Sequence, residues 1–86
     1  MTAEEKIQAM GCEDVVILTN YSYDSALIGV TEDGRAVYDY ERMIRWLIAT
    51  EGWTGEEAEE WIHYNTLRAL PYMGDKAPRI MYPLPN

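Results

Sequence analysis

Cationic side chains are scarce in this chain. Its 86 residues hold 7 Lys or Arg against 15 Asp or Glu, a formal net charge of -8. Phosphate backbones and anionic membrane surfaces are held by cations, so nonspecific binding to DNA, RNA or a membrane is not expected. Cysteine is scarcer still: Cys12 stands alone, and no internal disulfide can form. It lies between Gly11 and two acids, Glu13 and Asp14, and nearby negative charge raises a thiol's pKa, which argues against a reactive nucleophile. The start, Met-Thr-Ala-Glu-Glu-Lys, is neither basic nor followed by an apolar run, so no secretory signal is expected. No apolar stretch approaches the roughly 18–20 residues that span a bilayer. With one cysteine and none of these signals, the cytoplasm is the expected compartment.

Catalytic sets are missing as well. His63 is the one histidine, and a zinc site needs three or four ligands. There is no Gly-rich phosphate loop, no cysteine pair and no Ser-His-Asp order. Glu59 lies one helical turn before His63, and Asp39 and Glu41 are further acids, but a solvated histidine and a helix-capping aspartate explain these residues more simply. The chain reads as non-enzymatic, with no cofactor or metal.

Hydrophobic residues make up 48% of the sequence, among them seven tyrosines and three tryptophans, too many for a disordered acidic segment. The length allows a single small acidic domain over 1–86 with a modest core. Thr2 and Glu5 have the spacing of a capping box and predict a short helix over 3–10, stopped at Gly11. Val15, Val16, Ile17 and Leu18 form a β-branched apolar run that reads as a buried strand. Asn20 to Ser25 is polar and turn-like, with Tyr21 and Tyr23 placed to decorate a pocket or interface. Ala26 to Thr31 reads as a second strand in which Gly29 marks a bulge or a close backbone approach; Asp33-Gly34 turns the chain into a third strand over 35–38. Asp39 then caps an amphipathic helix carrying Tyr40, Met43, Ile44, Leu47 and Ile48 on one face and ending at Gly52. Thr54 and Glu57 form a second capping box and open a helix that continues to Pro71.

The expected fold is therefore α+β: a short N-terminal helix, a three-stranded antiparallel sheet, an antiparallel helical hairpin, and a Pro-rich C-terminal segment over 71–86 packed on the body. All four prolines fall in that segment, among Ile80, Met81, Tyr82 and Leu84, which argues for packing as a short edge strand. A first strand apolar on both faces needs cover from the N-terminal helix or from a second subunit, which leaves a homodimer open.

Two residue sets stand out as candidate contact surfaces. Glu56, Glu57, Glu59 and Glu60 follow one another with no cation between them, and Trp46 and Trp53 flank the preceding turn. Acids near a helix start complement the dipole, and the same acids with an exposed tryptophan would dock a basic protein groove. Asn65, Arg68 and Tyr72 form the second set. Arginine offers a planar fork to phosphate or carboxylate, and tyrosine stacks on a base. Convergence of this set in one concavity favours a ligand site; a flat acidic face with an exposed tryptophan favours protein docking.

Asp33-Gly34-Arg35-Ala36-Val37-Tyr38-Asp39-Tyr40 and Asn65-Thr66-Leu67-Arg68-Ala69-Leu70-Pro71-Tyr72, with the later Lys-Ala-Pro and Ile-Met-Tyr-Pro-Leu, resemble a family of small prophage- and mobile-element-associated proteins of gut Firmicutes. The likeness runs from Ala26 to Leu84. The family has no established activity, so no role passes to any residue. What the resemblance implies is a bacterial or phage setting, intracellular residence and an α+β domain. In that setting the expected function is that of a phage accessory protein. Such a protein would bind another protein through its acidic surface, such as a host defence or nucleic-acid-handling protein; the likeness to small acidic inhibitors of CRISPR nucleases is one of size, charge and source, not of motif. The alternative is a nucleotide or metabolite binder, or sponge, with its site at a subunit interface.

The acids are unevenly spread. Fourteen of the 15 precede residue 61; Asp75 alone follows, against Arg68, Lys76 and Arg79.

Overall fold

Two helices begin on the same local chemistry in the computed structural model, which describes residues 1–12 and 14–85. Thr2 opens α1 (Ala3–Ala9) and Thr54 opens α3 (Gly55–Trp61). Each threonine hydroxyl accepts from the N–H of the glutamate three residues on, at 3.1 Å in both cases. Each glutamate carboxylate accepts from the threonine N–H, at 2.8 and 2.9 Å. Both capping boxes are therefore formed, and donors that the first helical turn leaves unpaired are satisfied. Asp39 accepts from Arg42 N at 3.1 Å and caps α2 (Tyr40–Glu51), which ends at Gly52 with φ 71. Met43 and Leu47 of the α2 stripe are fully buried, Ile44 is half-buried and Ile48 emerges at the rim.

The sheet is mixed, which corrects the antiparallel expectation. β1 (Leu27–Val30) and β2 (Ala36–Asp39) form the hairpin that Asp33-Gly34 predicts, with Gly34 at φ 81. Their register breaks between Leu27, opposite Tyr38, and Gly29, opposite Val37, so Ile28 is the extra residue and the irregularity sits just before the glycine. The third strand is β3 (Arg79–Met81), parallel to β2, with Val37, Tyr38 and Asp39 opposite Arg79, Ile80 and Met81. The direction follows from the connection. β2 runs straight into α2, and the helical crossover carries the chain back to the end at which β2 began, so the new strand is parallel. Arg35 Nε donates to Ala77 O at 2.8 Å, and Lys76 Nζ donates to Asp33 O, which fastens the approach to β3 onto the hairpin.

The strand expected at 15–18 does not form. Its residues run as irregular backbone, with Val15 and Ile17 half-buried against the core. Leu18 N donates to the buried Tyr38 hydroxyl at 3.0 Å, so a side chain fills the place that a neighbouring strand would have taken. The argument that a doubly apolar strand needs a second subunit over it thus has no such strand to act on. The Asn20–Ser25 stretch turns as expected but is not merely polar. Tyr23 is fully buried with a left-handed backbone (φ 47), and a 3₁₀ turn over Asp24–Ala26 leads into β1. Asp24 also anchors α1: its carboxylate accepts from Ala3 N at 2.7 Å, and Lys6 Nζ donates to Asp24 O at 2.6 Å and Leu27 O at 3.1 Å.

The final helix is not one α-helix to Pro71. α3 ends at Trp61, a π-helical turn follows over Ile62–Thr66, then a single α-turn over Leu67–Ala69 and a 3₁₀ turn over Leu70–Tyr72. Glu13, one of the acids set against Cys12, and Asn86, the last residue of the Pro-rich segment, lie outside the described residues. Among the described residues, no helix is long and apolar enough to cross a membrane.

Candidate binding cleft

The π-helical turn determines which side chains reach the surface together. Leu67 N donates back to Ile62 O, the wider turn that inserts one residue into an otherwise α-helical run, a feature frequent at functional sites. Ala58, Ile62 and Thr66 stay buried at four-residue intervals. Thr66 Oγ1 is bonded to the Tyr23 hydroxyl at 2.7 Å, both groups out of water. Burial pushes the Tyr23 hydroxyl's pKa up, and the Thr66 bond offsets only part of that. With Thr66 fixed inward, Tyr64, Asn65 and Arg68 are exposed on the outer side, and Tyr72 follows past Pro71 with 90% of its surface in solvent.

Asn65, Arg68 and Tyr72 line one cleft of about 500 Å³. Its opposite wall is the irregular segment Leu18, Thr19 and Asn20, held in place by the Leu18–Tyr38 hydrogen bond. Thr66 and Met73 also contribute to the lining. Asn65 Nδ2 donates to Trp61 O at 3.2 Å, which leaves its carbonyl oxygen as an acceptor. The Arg68 guanidinium lies over the Tyr64 ring, 5.1 Å from its centroid, and among the described residues it makes no ion pair or hydrogen bond. Its five N–H donors, a planar fork on a side chain that lines both the cleft and the neighbouring hollow, are therefore unspent. The sequence marked the helical half of this site. It missed the opposing wall, because nothing local to Leu18–Asn20 says that the preceding apolar run leaves the sheet.

A second hollow of about 540 Å³ adjoins the first, and Tyr64 and Arg68 form the ridge between them. It holds Glu56, Glu59, Glu60 and His63. The three glutamates are exposed, and the one ion pair among the described residues joins Arg42 to Asp39 at 3.7 Å. Glu57 is set apart from them by its capping bond to Thr54. His63 Nε2 bonds the Tyr40 hydroxyl at 3.0 Å, and the Tyr40 ring also meets Tyr82, with centroids 4.9 Å apart. Partial burial raises the Tyr40 pKa, and Glu59 and Tyr82 add to the shift. Asp39 is 9% exposed and serves as the α2 cap. Among the described residues, no three His, Cys, Asp or Glu side chains are placed to hold a metal ion.

Trp46 and Trp53 do not stand free beside the acids. Both are half-buried and pack edge-on against Tyr21, at 5.8 and 5.9 Å, while Trp61 meets the same ring at 5.4 Å. The Tyr21 hydroxyl donates to Glu51 at 2.8 Å, and that bond raises its pKa. Tyr21 is thus the hub of an aromatic cluster that closes the α2–α3 turn, and the tryptophans are its spokes. Trp61 Nε1 is buried and lacks a hydrogen-bond partner among the described residues.

No protein-family model, curated protein or solved structure matches this chain.

Proposed function

We propose that this protein is a non-enzymatic binding module that holds a small molecule of the nucleotide or metabolite class in the cleft between Leu18–Asn20 and the π-helical turn. The observation that carries this reading is the convergence of Asn65, Arg68 and Tyr72 in one concavity, with the Arg68 guanidinium unspent. An oxyanion would be held by the guanidinium fork, a planar ring would stack on an exposed tyrosine, and the Asn65 carbonyl would accept from a ring substituent. The cleft is formed within one chain, so the proposal needs no second subunit to complete it. In the prophage setting that the family resemblance implies, such a module acts by sequestering its ligand.

The test is a thermal-shift screen of nucleotides and metabolites against the native chain and Arg68→Ala. A ligand-dependent rise in melting temperature that Arg68→Ala abolishes supports the proposal. No shift from any compound, with both chains equally inert, would sink it.

A second reading keeps the acidic face as a docking surface for a basic protein, such as a host nucleic-acid-handling protein. It is favoured by the exposure of Glu56, Glu59 and Glu60 without ion-pair partners among the described residues. Its anchors would be Tyr64 and His63 on the same helix face, since Trp46 and Trp53 are committed to the Tyr21 cluster. A partner captured from host lysate by the native chain, and lost with the triple Gln variant of those glutamates, would favour this reading over the first.

A further inference from the structure

The two hollows share Arg68 and Tyr64, and they carry opposite electrostatic preferences. From that junction we infer that the cleft selects a planar ring bearing a single anionic group, and rejects polyanions; this rests on the small-molecule reading of the cleft. Arg68 brings one positive charge to the cleft wall. Immediately across the Tyr64–Arg68 ridge stand three carboxylates, Glu56, Glu59 and Glu60. A ligand with one terminal phosphate or carboxylate pairs with the guanidinium and ends there. A ligand with a longer phosphate chain sends further negative charge toward three like charges that no ion pair among the described residues neutralises. Each added charge then gains less from Arg68 than it loses to the glutamates, because the fork is already satisfied by the first oxyanion. The ring is selected by the remaining lining. Tyr72 offers an open face, and Leu18 and Met73 are among the apolar residues of the lining.

The chemistry shared by a nucleoside monophosphate and an aromatic carboxylate is a flat ring with one terminal anionic group, and the experiment separates the two sources. Isothermal titration of the full chain would use a nucleoside, its monophosphate, its triphosphate without divalent metal, and a bicyclic aryl carboxylate. The same series would be run on the Glu59→Gln, Glu60→Gln double variant and on Arg68→Ala. The monophosphate or the aryl carboxylate, whichever is the source, is expected to bind about tenfold more tightly than the triphosphate at moderate salt. The double Gln variant is expected to raise triphosphate affinity severalfold and leave the uncharged nucleoside unchanged. A triphosphate that binds the native chain as tightly as the monophosphate, or a ratio that the Gln substitutions leave unmoved, overturns the charge selection even where Arg68-dependent binding persists. Absence of Arg68-dependent binding for every compound removes the small-molecule reading as well.

Discussion

The Tyr23–Thr66 hydrogen bond is the most informative place to perturb this structure, because it joins a buried turn to the π-helical segment that shapes the cleft. Thr66→Val keeps the shape of the side chain and deletes its hydroxyl, which strands the Tyr23 hydroxyl in a site from which water is excluded. Tyr23→Phe does the reverse and strands Thr66 Oγ1. Leaving one buried partner unsatisfied costs about 1–3 kcal/mol, whereas removing both partners together leaves no orphan. For a domain of this size each kcal/mol moves the melting temperature by roughly 4–8 °C. Each single variant should therefore lose several degrees, and the double variant should lose less than the sum, with a coupling of about 1 kcal/mol or more. Thermal and urea unfolding of the native chain, both singles and the double give the complete cycle. Amide exchange at Leu67, whose N–H makes the π-type bond to Ile62, should quicken in Thr66→Val before other helical amides do. Strict additivity of the two singles, or a Thr66→Val chain that melts with the native one, would refute the claim that this bond holds the cleft wall.

Two other outcomes follow from local chemistry. Burial pushes the Tyr38 hydroxyl up to about 12 while it accepts from Leu18 N. A tyrosine's folded pKa raised above its unfolded value contributes stability that is intact below the unfolded value of 10.0 and lost as pH rises through the folded one. Urea midpoints should accordingly hold steady to about pH 10 and fall between there and about 12, with Tyr38→Phe flattening that fall. Gly52 caps α2 at φ 71 with nothing close to an added Cβ, so Gly52→Ala isolates backbone strain from packing; denaturant unfolding should show a loss of about 1 kcal/mol, and Gly52→Asn should recover part of it.

Features written in short-range chemistry were readable from the residues alone. Thr2 with Glu5, Thr54 with Glu57, Asp39 before the α2 stripe, and Asp33-Gly34 each state a local geometry that tertiary contacts need not alter, and each is found. Val15–Leu18 misled because a short apolar run announces burial without saying how its backbone groups are satisfied. Here the answer comes from Tyr38, twenty residues away. β3 was expected as a short edge strand within the Pro-rich segment, but three residues between prolines say nothing of which strand they pair with or in which direction; the crossover decides that. The π-helical turn has no local signature; it ends at Thr66, whose partner Tyr23 lies 43 residues away. The cleft was therefore half legible. Asn65, Arg68 and Tyr72 follow one another at helical spacings of three and four, whereas the wall they face is set by the same long-range bond that displaced the expected strand.

The parallel pairing of β2 with β3 also bears on the order of folding events. The contacts that dock the β3 approach join residues 42 and 43 positions apart, with two helices to be formed and folded back between them. Such closure incurs its loop entropy before any ladder bond compensates for it, so these contacts consolidate after the hairpin and α2 have met. Interactions made that late act on the lifetime of the folded chain more than on the speed of reaching it. Strengthening the Arg35–Ala77 or β2–β3 contacts would lengthen the native state's persistence while leaving the folding rate nearly as it is.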